Sequence, residues 1–199
     1  MTKYLVTASF LLLTVLGSTI AIAQTGATSP MWAFGANVGY ALPMGDFKDA
    51  YNGGLTLGAS GCYMFTDKYG LEITAEWSKF PANDDLVSAL ETISGGSADA
   101  NFQFLPVTVD FLEYFPMNAP VVPYLKGGLG IYFETAEVEI GGEKDTRSEN
   151  DFGFNLGGGA KIPVTKTMAI DAGLRFHNVM TEDKSTQYFT FCAGVGFMF

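Results

Sequence analysis

The chain has few basic residues. Lys and Arg number 11 against 21 Asp and Glu in 199 residues, and the formal net charge is −10. The N-terminal segment contributes only Lys3, so without it 10 basic residues (11 less one) oppose the same 21 acidic ones. Nucleic acids and anionic lipid headgroups attract basic surfaces. The composition therefore excludes binding to either through a basic patch.

Long apolar runs are also missing after residue 20. The run from Tyr4 to Ile20 follows Lys3 and precedes A-I-A at 21–23, the pattern of a signal peptide and its cleavage site. A retained transmembrane helix is the alternative, but no basic stop-transfer flank follows the run. If the mature chain enters a membrane, it must do so as a β-barrel. We predict a signal peptide over residues 1–23, a short polar leader over 24–30 and one domain over 31–199.

The chain does contain segments in which apolar residues alternate with small or polar ones. The segment Gln187 to Phe199 is the clearest, since its odd positions are almost all aromatic or aliphatic and its even positions are mostly small or mildly polar. A transmembrane β-strand requires this division, because one face contacts lipid and the other lines the lumen. The 24 glycines and 17 phenylalanines suit strands with apolar exteriors and small interior residues.

Seven further segments alternate in the same way. They predict an all-β fold, an eight-stranded antiparallel up-and-down transmembrane β-barrel whose first strand runs from about Met31 to Leu42. Short turns at 66–68, 116–120 and 164–167 alternate with longer connections at 43–54, 80–100, 135–150 and 180–186. Short turns belong on the periplasmic side and long loops on the outside.

Charged residues within the strands fall on the face opposite the apolar one. In a soluble lipocalin-like barrel the apolar face would line the cavity, so this parity points to a membrane barrel instead. Eight strands enclose too little space for bulk water, and buried charges need partners. We therefore predict a structural charge network in the lumen, made of Glu72, Glu76, Asp110, Lys126, Lys161, Asp171 and Arg175.

The two cysteines, Cys62 and Cys192, are predicted to face the lumen from the second and the last strand. The first strand lies between the second and the last strand. The Cα atoms of the two cysteines would therefore be about two strand spacings, or ~10 Å, apart. A disulfide reaches roughly 7 Å between Cα atoms. We expect two free thiols, with a bridge across the lumen as the alternative.

Three stretches resemble a known family. They are G-Y-A-L-P-M-G-D-F at 39–47, P-Y-L-K-G-G-L-G-I-Y at 123–132 and the terminal G-V-G-F-M-F. They are similar to the small porin-like outer-membrane β-barrel family, which has eight strands and is allied in architecture to OmpA- and OmpX-type barrels. The resemblance covers the whole mature chain, implies the cell outer membrane of a Gram-negative bacterium, and identifies the fold better than a function.

The C-terminus also resembles the signal that bacterial barrel-assembly machinery reads. The matching positions are Gly194, Phe197 and Phe199, while Cys192 stands where a polar residue usually lies. The resemblance implies three partners, namely outer-membrane lipid, lipopolysaccharide and, during biogenesis, the assembly machinery.

Candidate chemistry in the chain is sparse. His177 is the only histidine, and the sequence after it lacks the Ser and Asn spacing of outer-membrane lipid A deacylases. The acidic residues Glu143, Asp145, Glu149 and Asp151 could offer oxygen ligands to a cation but lack the spacing of a calcium loop. We assign no catalytic, cofactor-binding or metal residue, and no cofactor.

One segment has a helical pattern. Residues 83–93 place Leu86, Leu90 and Ile93 on one face, behind a capping Asn83 or Asp84. This predicts a short helix folded onto the barrel mouth, or alternatively a contact surface for a partner. We expect a non-enzymatic barrel with a structural or surface-interaction role through its extracellular loops. A narrow channel for very small solutes and a lipid-modifying enzyme are the alternatives.

Overall fold

The computed structural model describes residues 31–117, 119–181 and 185–199, so the predicted signal peptide and leader lie outside the described residues. Eight antiparallel strands form a closed barrel in chain order. The strands are β1 (Met31–Met44), β2 (Gly54–Met64), β3 (Tyr69–Pro81), β4 (Ala98–Tyr114), β5 (Val122–Ile140), β6 (Glu143–Pro163), β7 (Met168–Met180) and β8 (Ser185–Met198). The predicted fold class is confirmed.

Pairing of β8 with β1 closes the barrel. The register runs from Ala33 opposite Met198 to Met44 opposite Gln187. Beyond it, the backbone N–H of Phe199 donates to the carbonyl of Trp32 at 2.8 Å, and the N–H of Trp32 donates back at 3.2 Å. Because every strand has two neighbours in this part of the barrel, no edge is left to fray.

The outer surface of the strands is apolar and the inner surface is mixed. The alternation in each strand turns one set of side chains out and the other set in. Large apolar side chains therefore lie exposed around the outside, among them Phe34, Val38, Leu57, Ile73, Val109, Phe111, Leu129, Phe133, Leu156, Ile170, Leu174, Phe191 and Val195. Such a belt is stable only when lipid covers it.

Two connections contain helices. A 3-10 helix spans Gly45–Asp49, and helix α1 spans Asp84–Ser94 between β3 and β4. The side chain of Asn83 accepts a hydrogen bond from the N–H of Leu86, and Gly95 ends the helix in the left-handed conformation. The predicted helix is therefore present. Among the described residues, no helix is both long and apolar enough to cross a membrane.

The prediction of an acidic loop over 135–150 is wrong. Strand β5 continues to Ile140 and β6 begins at Glu143, so most of this stretch is a β-hairpin that extends the sheet beyond the barrel. Gly141 and Gly142 form its turn with φ of 59° and 87°, which is the geometry that two-residue hairpins favour. The alternation of apolar and polar residues did not predict these strand residues, because water reaches both faces of the hairpin extension.

The predicted spacing of the cysteines is also wrong, although both thiols are free. Cys62 pairs with Ala33, whereas Cys192 pairs with Gly39, six residues further along β1. At about 3.3 Å per residue the two lie ~20 Å apart along the strand direction. The stagger between strands, which the sequence does not reveal, separates them beyond the reach of a disulfide.

Candidate functional site

The middle of the lumen contains charged side chains contributed by five strands. Lys126 donates to Glu72 with Nζ 2.8 Å from Oε1, and Arg175 Nη2 lies 4.0 Å from the same oxygen. Nearer the periplasmic end, Lys161 Nζ lies 3.7 Å from Asp171 Oδ2. The structure therefore places each of the three basic side chains of the predicted network beside a carboxylate.

The other two acidic members of the network, Asp110 and Glu76, have no Lys or Arg side-chain nitrogen within 4.0 Å among the described residues. Asp110 is fully buried and accepts hydrogen bonds from Asn155 Nδ2 at 2.6 Å and from the Thr108 hydroxyl at 2.9 Å. Glu76 lies 3.5 Å from His177 Nε2. At Asp110 these hydrogen bonds replace part of the hydration that burial removes.

His177 is a fully buried lumen residue. Its ring stacks on Tyr188, with centroids 4.5 Å apart and planes 4° apart. The Tyr132 hydroxyl lies 3.0 Å from Nδ1, and the Thr190 hydroxyl lies 3.4 Å from Nε2. Both ring nitrogens are thus engaged with neighbours inside the barrel, away from the lipid-facing surface.

Aromatic side chains close the lumen on the side of the long connections. Phe80, Phe104 and Tyr188 are fully buried there, and Phe104 stacks on Tyr188 with centroids 5.0 Å apart. From the segment after β1, Phe47 packs on Phe80 at 5.1 Å between centroids, and Tyr51 packs alongside. Burial raises the pKa of Tyr51 above its ordinary value. We call these residues, together with Phe102 and Tyr132, the aromatic plug.

Two small cavities lie in the charged middle of the lumen. They have volumes of about 50 and 40 Å³ and are lined by Asn37, Lys126, Asp171 and Arg175 among others. Volumes of this size hold a few water molecules at most. At the periplasmic end a second apolar cluster narrows the lumen, made of Cys62, Met64, Leu112, Tyr114 and Tyr124.

Strands β4, β5 and β6 continue as a sheet beyond the barrel mouth, and residues 79–81 of β3 pair with residues 101–103 at its inner end. Its register pairs Ala98 with Ile140 in β4 and β5, and Ile140 with Glu143 in β5 and β6. We call residues 98–103, 134–140 and 143–150 the extracellular sheet, because the short turns lie at the opposite end of the barrel. Helix α1 packs against its β4 and β5 strands.

The extracellular end of the molecule is acidic. Between residues 134 and 151, Asp and Glu occupy seven positions and Lys and Arg two, while residues 82–99 contain four acidic residues and no basic one. The turns at 66–68 and 164–167 contain one acidic and two basic residues. The excess negative charge of the chain is therefore concentrated at the extracellular end of the barrel.

Ion pairs within the hairpin involve its only two basic residues. Lys144 Nζ lies 2.9 Å from Glu137 Oε1, and this hydrogen bond holds the pKa of Glu137 below its usual range. Arg147 Nη2 lies 2.7 Å from Glu149 Oε1. Lys144, predicted to lie in a loop, is thus in a strand.

Among the described residues, no group of three or more His, Cys, Asp and Glu side chains could hold a metal ion.

The residues of the predicted assembly signal lie where the barrel closes. Gly194 sits opposite Asn37 of β1 and Asp171 of β7, and a Cβ there would overlap the carbonyl of Ala36. The Phe197 and Phe199 side chains lie exposed on the outer surface.

The aromatic plug was missed by sequence reasoning, although aromatic residues on the inward parity near the long connections were a signal for it.

A closed eight-stranded barrel with an apolar exterior and a charged interior defines the class of integral outer-membrane β-barrel proteins. The chain belongs to the outer membrane protein beta-barrel domain family, whose model matches residues 9–199. The protein therefore resides in the outer membrane of the Gram-negative cell envelope, as the sequence predicted. None of the curated proteins matches this sequence.

Solved structures agree on the fold. Neisserial surface protein A is 20% identical with a TM-score of 0.57, covering 87% of this chain and 99% of its own. The attachment invasion locus protein Ail of Yersinia pestis, solved with the heparin analogue sucrose octasulfate, is 16% identical with a TM-score of 0.58, covering 86% and 100%. A major outer membrane protein of Thermus thermophilus is 13% identical with a TM-score of 0.63, covering 86% and 100%. At these identities the similarity establishes the fold alone.

Proposed function

We propose that this protein is a non-enzymatic, non-conducting outer-membrane barrel that binds partners bearing basic groups through its acidic extracellular sheet. The observation that carries the proposal is the combination of a lumen closed by the aromatic plug with a sheet that extends beyond the barrel. A protein that transports solutes needs an open lumen, whereas a protein that presents a surface needs only a rigid support. Outer-membrane lipid and lipopolysaccharide surround the barrel in this proposal.

The closed lumen disfavours the channel alternative. The side chains of Phe80, Phe104 and Tyr188 pack within 5.0–6.0 Å of one another between ring centroids. Beneath them, Glu72, Lys126 and Arg175 occupy the middle of the lumen. An ion crossing the barrel would have to displace both layers.

The enzyme alternative needs a base that reaches a lipid substrate, and the single histidine of the sequence does not. His177 has no exposed surface, and its nearest hydroxyl partners are Tyr132 and Thr190. A general base must lie within hydrogen-bond reach of the group that it deprotonates, and that group must meet the substrate. An inward-facing, stacked histidine does not meet this condition.

Charge indicates the chemistry of the partner. Ail of Yersinia pestis was solved in complex with a heparin analogue, which is a polyanion. Residues 134–151 of this chain include seven acidic residues against two basic ones, so this end of the molecule would repel a polyanion. Polypeptides rich in Lys and Arg are the complementary class.

Two measurements test the proposal. In a planar bilayer the refolded protein should give no conductance steps under conditions in which a general porin conducts. The same protein in zwitterionic detergent should bind fluorescent oligolysine but not a heparin oligosaccharide, and binding should weaken with salt. Regular conductance steps, or a preference for heparin, would contradict the proposal.

A further inference from the structure

Among the described residues, the outer edge of β6 has no strand partner above the barrel. Strand β6 pairs with β5 from Glu143 to Lys161, whereas its pairing with β7 begins only at Phe152 opposite Met180. Residues 143–150 are therefore edge residues, and every one of them is exposed. In the part of the chain that the structure describes, no backbone hydrogen bond from another segment reaches this edge. At about 3.4 Å per residue the open edge is ~27 Å long.

The hairpin turn determines which backbone groups point outward. In a two-residue hairpin the residues flanking the turn exchange hydrogen bonds, and such pairs alternate along the ladder. Here the flanking residues are Ile140 and Glu143, so the odd-numbered residues of β6 bond to β5. The N–H and C=O groups of the even-numbered residues Lys144, Thr146 and Ser148 are directed to the open side.

The opposite edge of the same sheet is covered. Helix α1 packs against β4, and the N–H of Ala82 donates to the carbonyl of Ala100 at 2.8 Å. The carbonyl of Ser97 accepts from the N–H of Gly141 at the hairpin tip. The sheet therefore offers one open row of hydrogen-bonding groups, which is the template for strand addition.

The side chains beside this edge select the partner. On the face that continues the lumen side of the sheet, β6 presents Glu143, Asp145, Arg147 and Glu149, so three of four are acidic. On the other face it presents Lys144, Thr146 and Ser148, of which two are hydroxyl residues. A second copy paired antiparallel about Thr146 would place Glu143 beside Glu149 twice, and like charges opposite each other are destabilising.

We propose that residues 143–150 of β6 bind an extended polypeptide by β-strand addition, and that this polypeptide carries Lys or Arg at every second residue. The inference rests on the proposed function and specifies its site and its mode of recognition. The alternate basic residues lie beside Glu143, Asp145 and Glu149, and one lies beside Arg147, whose charge is offset by its ion pair with Glu149 at 2.7 Å. The residues between them lie beside Lys144, Thr146 and Ser148. Affinity comes from the main-chain ladder and specificity from the charge alternation.

Two peptides of identical composition test the recognition mode. One alternates Lys and Thr over about nine residues, the length of the open edge. The other places all its Lys residues before its Thr residues. Fluorescence anisotropy with the refolded full chain in zwitterionic detergent should show the alternating peptide binding about tenfold more tightly, a ratio worth one hydrogen bond or cross-strand pair.

Two backbone variants test the edge itself. Thr146→Pro removes an N–H that faces the open side and spares the bonds to β5, a position at which edge strands tolerate proline. Thr146→Val keeps the N–H and the strand preference, so it is the matched control. Binding of the alternating peptide should fall about tenfold in the first variant and stay within about twofold in the second. N-methylation of the peptide at alternate residues blocks the same ladder without altering the protein.

Two neutralised variants test the charge selection. Glu143→Gln with Asp145→Asn removes two charges beside the edge, and Asp85→Asn with Asp99→Asn removes two from the helix side of the same extracellular surface. The first pair should weaken binding of the alternating peptide severalfold more than the second, because close opposite charges act more strongly than distant screened ones.

The results separate the two proposals. Equal binding of both peptides, unaffected by Thr146→Pro, would overturn strand addition and leave the acidic surface as a general binder of basic polypeptides. Absence of binding by either peptide and by oligolysine would overturn the proposed function as well. Preference for the alternating peptide, lost on Thr146→Pro and on N-methylation but kept in Thr146→Val, is the result expected.

Discussion

At the residue scale, a buried charge contributes more to stability than an exposed one. Arg175 is 6% exposed in the lumen, with Glu72 at 4.0 Å, whereas the Lys144 side chain is 53% exposed on the hairpin beside Glu137. Removing one partner of a buried pair leaves a stranded charge and costs roughly 3–5 kcal/mol, but an exposed pair contributes about 1 kcal/mol or less. Arg175→Ala should therefore lower the free energy of unfolding far more than Lys144→Ala, measured by urea titration of the refolded protein in detergent micelles.

The matched control for this pair is Arg175→Lys. It retains a positive charge in the lumen but loses the guanidinium fork, so its stability should lie between those of the wild type and Arg175→Ala. Equal unfolding free energies for Arg175→Ala and Lys144→Ala would contradict the inside–outside assignment of the strands.

At the scale of single elements, helix α1 depends on its cap. Asn83 Oδ1 accepts from the N–H of Leu86 at 2.9 Å, and its amide donates to the carbonyl of Asp49 at 2.8 Å. Asn83→Ala should destabilise the helix by about 1 kcal/mol. We expect faster amide hydrogen exchange in residues 86–95 with unchanged exchange in the barrel strands. Asn83→Asp keeps the capping acceptor and should preserve most of the protection, so equal exchange in the two variants would argue against the cap.

The last strand is the element that closes the barrel and, by resemblance, the one that assembly machinery reads. Deleting Phe199 removes two hydrogen bonds to Trp32 at the periplasmic end but leaves the register of β8 with β1 intact. We predict that the deletion lowers the amount of protein assembled in the outer membrane much more than it lowers the stability of refolded protein. Normal outer-membrane levels, measured by immunoblotting of membrane fractions, would contradict this.

At the scale of the whole molecule, closure of the sheet predicts resistance to detergent. All eight strands pair with two neighbours around the barrel, so SDS has no free strand edge there at which to begin unfolding. The refolded protein should migrate differently in gels before and after boiling. Identical mobility of both samples would count against a closed barrel.

The sequence by itself determined the fold class, the strand number and the inside–outside assignment. These follow from alternation with a period of two, because a strand that separates lipid from a narrow lumen must differ between its faces at every position. The same parity identified Glu72, Lys126 and Arg175 as lumen residues. The cap at Asn83 was also visible, since capping is a local effect within three residues.

The tertiary structure alone decided three features. Strand stagger set the distance between Cys62 and Cys192, and no single strand encodes its register with a distant one. The aromatic plug forms because Phe47 returns from a connection onto Phe80 and Phe104. Closure of the barrel then brings Tyr188 of β8 beside the same two rings. The open edge of β6 exists because β5 and β6 extend further above the barrel than β7. This difference in length follows from the register between the strands, which the tertiary structure supplies.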